Sequence, residues 1–108
     1  MKRHTQIYMK SLGYDITDFI PCEITGQRSN DIHHIECRGM GGNPKGDKDR
    51  IENLQAITRE AHIKYGDKRE HMKFLYSKHF QFLESNGVKF DNKYLIDKIN
   101  SYENSKSR

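Results

Sequence analysis

The residues of this chain best suited to chemistry are His33 and His34, which are adjacent, together with Asn53 and His62. Histidine has the side chain whose pKa lies nearest neutrality, so it serves both as a metal ligand and as a general base. Isoleucines flank the histidine pair on both sides, which indicates a partly buried environment. A buried imidazole has to be hydrogen-bonded, neutral or bound to a metal ion. The pair is therefore a candidate for a catalytic or metal-binding site.

The histidines are candidates for two different tasks. His33 on a strand and His62 on a helix could converge on one divalent ion, with phosphate oxygens and water as its other ligands. His34 could then be the base that activates a water molecule. Successive strand residues point to opposite faces, so the strand must end, bulge or twist beside the pair. The glycine-rich segment 38–50, RGMGGNPKGDKDR, follows directly and is predicted to be a loop that permits this.

The elements around these residues follow from residue patterns. Segments 19–25 and 31–37 contain β-branched residues and are separated by GQRSN, which predicts a hairpin of two strands. After the loop, Thr58 is predicted to be the N-cap of a short helix, with Glu60 in its first turn and Gly66 at its end. The predicted order is therefore strand, strand, loop and helix.

Helices are predicted on both sides of this core. Residues 1–12 have apolar side chains at helical spacing and precede a glycine. Asp67 and Glu70 resemble a capping box ahead of the longest helix, whose apolar stripe covers 72–83. A last amphipathic helix is predicted to be capped near residue 91 or 92. His4, His71 and His79 fall in these helices, where a solvated or half-packed imidazole is the expected state.

Length and composition limit the class of protein. The 108 residues suit one domain, interpreted as a motif core over 19–66, a helical extension over 67–103 and a frayed tail over 104–108. Hydrophobic residues make up 33% and no apolar run could span a bilayer, so we expect a soluble protein without membrane contact. The first residues do not resemble a secretory signal, which favours a cytoplasmic location.

Charge and cysteine content add two expectations. The formal net charge of +4 favours a polyanionic partner such as nucleic acid, although many basic proteins bind none. Cys22 and Cys37 could pair, but thiols are expected in a reducing compartment.

The segments DIHHIECRGMGG, IENLQAI and REAH together resemble the His-Asn-His (HNH) endonucleases. The resemblance runs from about residue 22 to residue 62. It implies an α+β fold with a small ββα-metal core, also called a His-Me finger, in which two strands, a loop and a helix surround one metal ion. Here flanking N-terminal and C-terminal helices would complete the fold.

The resemblance also implies a role for each matching residue. His34 matches the general base, and His33 and His62 match the metal ligands. Asn53 matches the family asparagine, which hydrogen-bonds across the loop and holds the base in place. Asp31 lies where relatives often carry an acidic residue that orients a histidine, so it is included in the catalytic group.

The implied activity is metal-dependent hydrolysis of DNA phosphodiester bonds that leaves 5′-phosphate and 3′-hydroxyl ends. Mg²⁺ or Mn²⁺ is the expected ion, with Zn²⁺ or Ni²⁺ possible. Arg38 could grip a phosphate or be an ordinary loop arginine. Other cations are expected to contact the DNA backbone without reading sequence: Arg59 and Lys64 on the motif helix, and Lys45, Lys48 and Arg50 in the loop.

The chain departs from the family pattern in two places. Many relatives hold a structural zinc with two Cys-x-x-Cys pairs, but the matching positions here are Cys22, Thr25, Thr58 and Ala61. No structural zinc is therefore predicted. Some relatives also place a further histidine where this chain has Gly66, which leaves the catalytic metal with two nameable protein ligands.

Two other functions remain open from the sequence. One is a DNA-binding module that keeps an HNH-like fold without catalysis. The other is a structural metal knuckle built from Cys22, Cys37 and the histidines, which the cysteine spacing fits poorly. Free-standing HNH proteins of this size resemble those of bacteriophages and mobile elements, and the oligomeric state is left open.

Overall fold

The computed structural model describes residues 1–37 and 44–103 of the chain, with the side chains of 44–46 left aside. The helices are α1 (Arg3–Leu12), α2 (Arg59–Tyr65), α3 (Met72–Ser85) and α4 (Asn92–Glu103), and the strands are β1 (Asp31–His34) and β2 (Leu54–Ile57). Short 3₁₀ turns cover Pro44–Asp49, Ile51–Asn53 and Arg69–His71. The predicted α+β class is confirmed. None of the helices in these described ranges has the length and apolar character needed to cross a bilayer.

The sheet consists of β1 and β2, which pair antiparallel with His33 opposite Gln55 and His34 opposite Leu54. The predicted hairpin between 19–25 and 31–37 is wrong. Residues 19–25 form no strand and contribute one isolated bridge, from Pro21 to Arg28. The true partner of β1 follows the glycine-rich segment, and all four of its residues are buried. A four-residue buried strand has no polar alternation, so periodicity gives no sign of it.

Helix α2 begins directly after β2, as the cap residues predict. The Thr58 hydroxyl accepts a hydrogen bond from the Ala61 backbone N–H at 3.1 Å, and Gly66 follows the last turn. The order is therefore β1, glycine-rich segment, β2 and α2. At the end of β1, the His33 ring lies beside the His62 ring of α2.

The flanking helices lie where the sequence predicts them, but the predicted capping box at the start of α3 is not formed. Helix α1 ends at Gly13, which has a φ of 72°, and the Asp91 side chain accepts from the Tyr94 N–H at the start of α4. Helix α3 is the longest, but its capping box is wrong: His71 is the N-cap and makes no side-chain cap bond. Asp67 lies outside α3 in a left-handed conformation with a φ of 59°.

The C-terminal helices α3 and α4 pack in the same hydrophobic core as the segment around β1. Ile35, just after β1, packs in one buried apolar cluster with Leu75 and Leu83 of α3 and with Leu95 of α4. Buried polar contacts also join the parts, since the Glu36 carboxylate accepts hydrogen bonds from Lys48, Lys98 and Tyr102. The fully buried ion pair between Glu23 and His79, at 2.7 Å, ties α3 to the segment before β1.

Candidate metal and catalytic site

A cleft of about 630 Å³ opens beside the end of β1. It brings together four of the residues singled out by the sequence and several others from separate elements. The four are Asp31, His33, His34 and His62, and the added side chains include Lys2, His4, Cys37 and Asp67. Strand β1 ends at His34, so the end of the strand allows both adjacent histidines to line one cleft.

His33 is held as a neutral imidazole with one free nitrogen. Its Nε2 lies 3.0 Å from the Gln55 Oε1. The Gln55 amide nitrogen faces two acceptors, the Leu75 carbonyl at 3.1 Å and the Glu23 carboxylate at 3.4 Å, so the amide oxygen must face His33. His33 therefore donates from Nε2, and its Nδ1 carries the lone pair. That Nδ1 is buried and has no hydrogen-bond partner among the described residues.

The electrostatics of His33 support the neutral form. The side chain is 6% exposed, and burial lowers its pKa from 6.5 to about 4, against the opposing effect of the Gln55 hydrogen bond. A neutral imidazole at physiological pH can give its lone pair to a cation. A buried lone pair without a partner is costly unless such an acceptor is present.

His62 lies in the last turn of α2, and its ring is beside the His33 ring. The centroids of the His33 and His62 rings are 4.9 Å apart. Gly66 makes room for the His62 ring, because a Cβ at Gly66 would lie 2.2 Å from His62 Cδ2. A strand histidine with a free lone pair and a helix histidine beside it fit a divalent transition-metal site.

His34 has a different set of contacts. Its Nε2 lies 2.7 Å from the Asp49 Oδ1, while the other oxygen of Asp49 accepts from Arg3 at 2.7 Å. Because an ionised carboxylate only accepts hydrogen bonds, His34 donates from Nε2, and in a neutral His34 ring the lone pair is then on Nδ1. The His4 ring lies 4.5 Å from the His34 ring. His34 is therefore oriented by a buried acid, as a general base requires.

The same group offers a second place for a cation. The ligand atoms of His4, His34 and Asp49 lie within 4.8 Å of one another. Arg3 already places its positive charge on the Asp49 carboxylate at 2.7 Å, which opposes an additional cation there.

Asn53 clamps the two ends of the glycine-rich segment and does not line the cleft. Its amide nitrogen donates to the Glu36 carbonyl at 3.0 Å and to the Lys48 carbonyl at 2.9 Å. Its amide oxygen accepts from the Glu36 N–H and from the Tyr76 hydroxyl, both at 2.9 Å. Asn53 thus bonds across the loop as the resemblance implies. It fixes Lys48, the residue before Asp49, and so holds the partner of His34.

The cationic side chains predicted to contact DNA differ in whether they are exposed or held in internal ion pairs. Arg59 and Lys64 are exposed on α2. Lys48 and Arg50 are instead bound in internal ion pairs, to Glu36 at 2.9 Å and to Glu52 at 2.8 Å. Arg38 lies outside the described residues, and Lys45 is among the residues whose side chains are not described.

Two of the four positions that match structural-zinc ligands of HNH endonucleases, Cys22 and Ala61, lie in a small apolar cluster in this chain. Cys22 is 2% exposed and packs with Ile57 and Ala61, and its Sγ accepts from the Thr25 N–H at 3.4 Å. Burial raises the pKa of the Cys22 thiol, but hydrogen bonds from Thr25 and nearby backbone groups outweigh burial and lower it. Cys22 and Cys37 are both free thiols.

The structure differs from the sequence prediction at two histidines, His4 and His79, and brings three unpredicted residues to the site histidines. His79 is fully buried, and its pKa is raised because the Glu23 ion pair outweighs the effect of burial. His4 is 7% exposed and lines the cleft, so the expectation of solvated or half-packed rings is wrong for both. His71 is half-buried against Tyr65, as expected. Also missed were the partners of the site histidines: Gln55, Asp49 and Asp67.

The sequence contains little that would have identified these three partners. Gln55 would follow from a correct β2 register, because it lies directly opposite His33. Asp49 and Asp67 stand in loop segments among other charges, where nothing in the pattern separates them from solvated carboxylates.

No protein-family model, curated protein or solved structure matches this chain.

Proposed function

We propose that this protein is a metal-dependent HNH endonuclease that hydrolyses DNA phosphodiester bonds. The observation that carries the proposal is the free Nδ1 of buried His33, a residue whose ring lies beside the His62 ring and which directly precedes His34. One cleft thus combines a position for a divalent ion with an imidazole oriented as a base. The order β1, glycine-rich segment, β2 and α2 supports the ββα-metal interpretation.

His33 and His62 would hold the ion, since their rings converge from a strand and a helix. When bound, a divalent ion at this position stabilises the negative charge that develops on the phosphate and on the departing 3′ oxygen. Mg²⁺ and Mn²⁺ are the proposed ions. Zn²⁺ and Ni²⁺ are alternatives that imidazole ligands also accept.

His34 would perform the proton transfer. A water oxygen attacks phosphorus in line while its proton moves to the lone pair on His34 Nδ1. The bond between phosphorus and the 3′ oxygen breaks, the 3′ oxygen takes a proton from solvent, and the products are a 5′-phosphate and a 3′-hydroxyl. Asp49 holds the donating Nε2–H of His34 during this transfer, and Asn53 holds the loop that carries Asp49.

Binding of DNA would rest on charge. The net charge of +4 and the exposed side chains of Arg59 and Lys64 on α2 favour contacts with phosphates. Asp31 at the start of β1 lines the cleft and is proposed to orient a histidine there. Arg38 is proposed as a further phosphate contact from the sequence alone. The cytoplasm of the producing or phage-infected cell is the proposed location.

A plasmid assay tests the proposal. Supercoiled plasmid is incubated with the purified chain in Mg²⁺, Mn²⁺, Zn²⁺ or Ni²⁺, and nicked and linear products are separated on a gel. We expect nicked plasmid that DNA ligase reseals, because ligase needs a 5′-phosphate beside a 3′-hydroxyl. A protein that shifts DNA in gels without cutting it in any of these metals would instead be the catalytically inactive module.

A further inference from the structure

A chain of buried hydrogen bonds leads from the protein core to His33. It begins at His79 on α3, which is fully buried. The His79 Nδ1 lies 2.7 Å from the Glu23 Oε1, and its Nε2 lies 2.7 Å from the Ile51 carbonyl oxygen. An ionised carboxylate and a carbonyl only accept hydrogen bonds, so both ring nitrogens of His79 donate. The chain therefore starts from an imidazolium beside a buried carboxylate.

The Glu23 carboxylate and the Leu75 carbonyl together fix the direction of the Gln55 amide. Glu23 accepts from the Tyr8 hydroxyl at 2.6 Å and from the Gln55 Nε2 at 3.4 Å, in addition to His79. The same amide nitrogen donates to the Leu75 carbonyl at 3.1 Å. An amide turned by 180° would place its oxygen against both of these acceptors. The Gln55 nitrogen is therefore held toward the core and its oxygen toward β1.

His33 is the last member of this chain. The Gln55 Oε1 lies 3.0 Å from the His33 Nε2, and the strand register holds it there because the two residues are directly opposite in the sheet. The Nε2 must then carry the proton of the neutral ring. The His33 Nδ1 is buried and has no hydrogen-bond partner in the part of the chain that the structure describes. The chain thus ends in an imidazole that lines the cleft with an unused lone pair.

Stability alone does not explain this arrangement. Taking two charges out of water costs about as much free energy as their attraction returns, and well-packed apolar residues of similar volume often stabilise a protein equally well. Histidines that bind metal ions commonly donate their other ring N–H to a fixed acceptor, which sets the tautomer and the orientation of the ring. His33 and Gln55 have this relationship, and the ion pair behind Gln55 keeps its amide in one direction.

We infer that Gln55, held by the Glu23–His79 ion pair, is a positioning residue that keeps the proton of His33 on Nε2 and its lone pair on Nδ1. The inference rests on the proposed function, in which His33 binds the metal, and it names the nitrogen that does so. Gln55 acts through His33 and is not itself a ligand.

NMR of the histidine rings in the metal-free, DNA-free protein tests where the protons lie, because ring nitrogens with and without a proton differ in ¹⁵N chemical shift. At neutral pH we expect a single tautomer of wild-type His33, protonated on Nε2, and protons on both nitrogens of His79. Gln55→Met keeps the side-chain length but offers only a weak acceptor, so His33 should also populate the tautomer protonated on Nδ1. Gln55→Glu still offers an oxygen to His33 and should keep the wild-type tautomer.

Mn²⁺ titration of the same DNA-free proteins gives a second readout. Loss of a group that orients a metal ligand costs about 10- to 100-fold in affinity, so the Kd for Mn²⁺ should rise by about that factor in Gln55→Met. The matched control is Leu95→Val, which trims a fully buried side chain of the core that the C-terminal helices share. It should lower the melting temperature without changing the His33 tautomer or the Kd.

The wild-type spectrum tests the inference even where a variant fails to fold. A wild-type His33 protonated on Nδ1 would overturn it, as would a wild-type tautomer with wild-type Mn²⁺ affinity in Gln55→Met. An equal change of tautomer in Leu95→Val would also overturn it, because Gln55 would then act only through stability. A tautomer that depends on Gln55 in a protein that never cuts DNA would support the inference and overturn only the proposed function.

Discussion

Replacing Gly66 with alanine should damage the proposed metal site through a single methyl group. A Cβ there would lie 2.2 Å from His62 Cδ2 and 2.5 Å from the His62 carbonyl oxygen. Non-bonded carbons approach to about 3.5 Å, so the ring has to move by more than about 1 Å. Ring rotation cannot relieve the contact with the carbonyl oxygen, which also accepts the Gly66 N–H at 2.7 Å. The end of α2 must therefore shift with the ring.

The size of the effect follows from these contacts. Gly66 has a φ of −69° and a ψ of 146°, which alanine adopts freely, so the cost comes from crowding alone. Overpacking of this kind costs about 1–3 kcal/mol. For a chain near 100 residues this lowers the melting temperature by about 5–15 °C. A misplacement of about 1 Å in a catalytic group can reduce the rate about 10²-fold, and we expect a comparable loss in plasmid nicking.

The assay combines thermal denaturation, Mn²⁺ titration and plasmid nicking. Gly87→Ala is the control, because Gly87 has a φ of 65° and open space around its Cβ position. It should lose about 1–2 kcal/mol through backbone strain while keeping wild-type Mn²⁺ affinity. If Gly66→Ala keeps wild-type affinity and nicking rate, or if Gly87→Ala loses Mn²⁺ to the same degree, the reasoning about His62 is refuted.

Three further predictions concern residues around the site. Asn53→Ala should lower the urea-derived free energy of unfolding by about 3–5 kcal/mol, because several buried groups lose their partner, and a loss below about 1 kcal/mol would contradict the clamp. Asp49→Asn should reduce nicking about 10²-fold by releasing His34, and an equally large fall in Mn²⁺ affinity would argue against a positioning role. Glu36 has a pKa of about 2, because its hydrogen bonds from lysines and a tyrosine outweigh burial. Its contribution to stability, at most about 3 kcal/mol, is complete above pH 4.5 and should vanish as the pH falls toward 2. Acid unfolding curves should lose this slope in Glu36→Gln, and an unchanged slope would contradict the assignment.

Local signals in the sequence predict much of the helical structure. Thr58 caps α2 and Asp91 caps α4 because each side chain can reach the N–H three residues ahead, which depends on neighbouring residues alone. The sheet was harder to predict. Strand β2 pairs with β1 across 19 intervening residues, from His34 to Leu54, and its burial on both faces removes the alternation that identifies a strand.

In the site, too, some residues could be identified from local sequence, whereas others are brought there only by the fold. His33, His34 and His62 could be identified from the sequence as candidate site residues, because a partly buried imidazole has few roles besides metal ligand and general base. Their partners could not, because Gln55 reaches His33 only through strand register and Asp49 reaches His34 only through the folded loop. His4 enters the cleft through the packing of α1 against the sheet, which no local pattern encodes. Tertiary contacts therefore select the partners, and sequence patterns select the reactive groups.

The claim that His34 is the base of a metal-dependent DNA nuclease is tested most directly by one rate comparison. Plasmid nicking is measured at saturating Mn²⁺ for wild type, His34→Ala and His71→Ala, after titration has shown equal Mn²⁺ occupancy. We expect a loss of about 10²-fold or more in His34→Ala, because general base catalysis contributes that much. We expect an unchanged rate in His71→Ala, whose ring packs against Tyr65. Equal nicking by wild type and His34→Ala would contradict the assignment of His34 as the base.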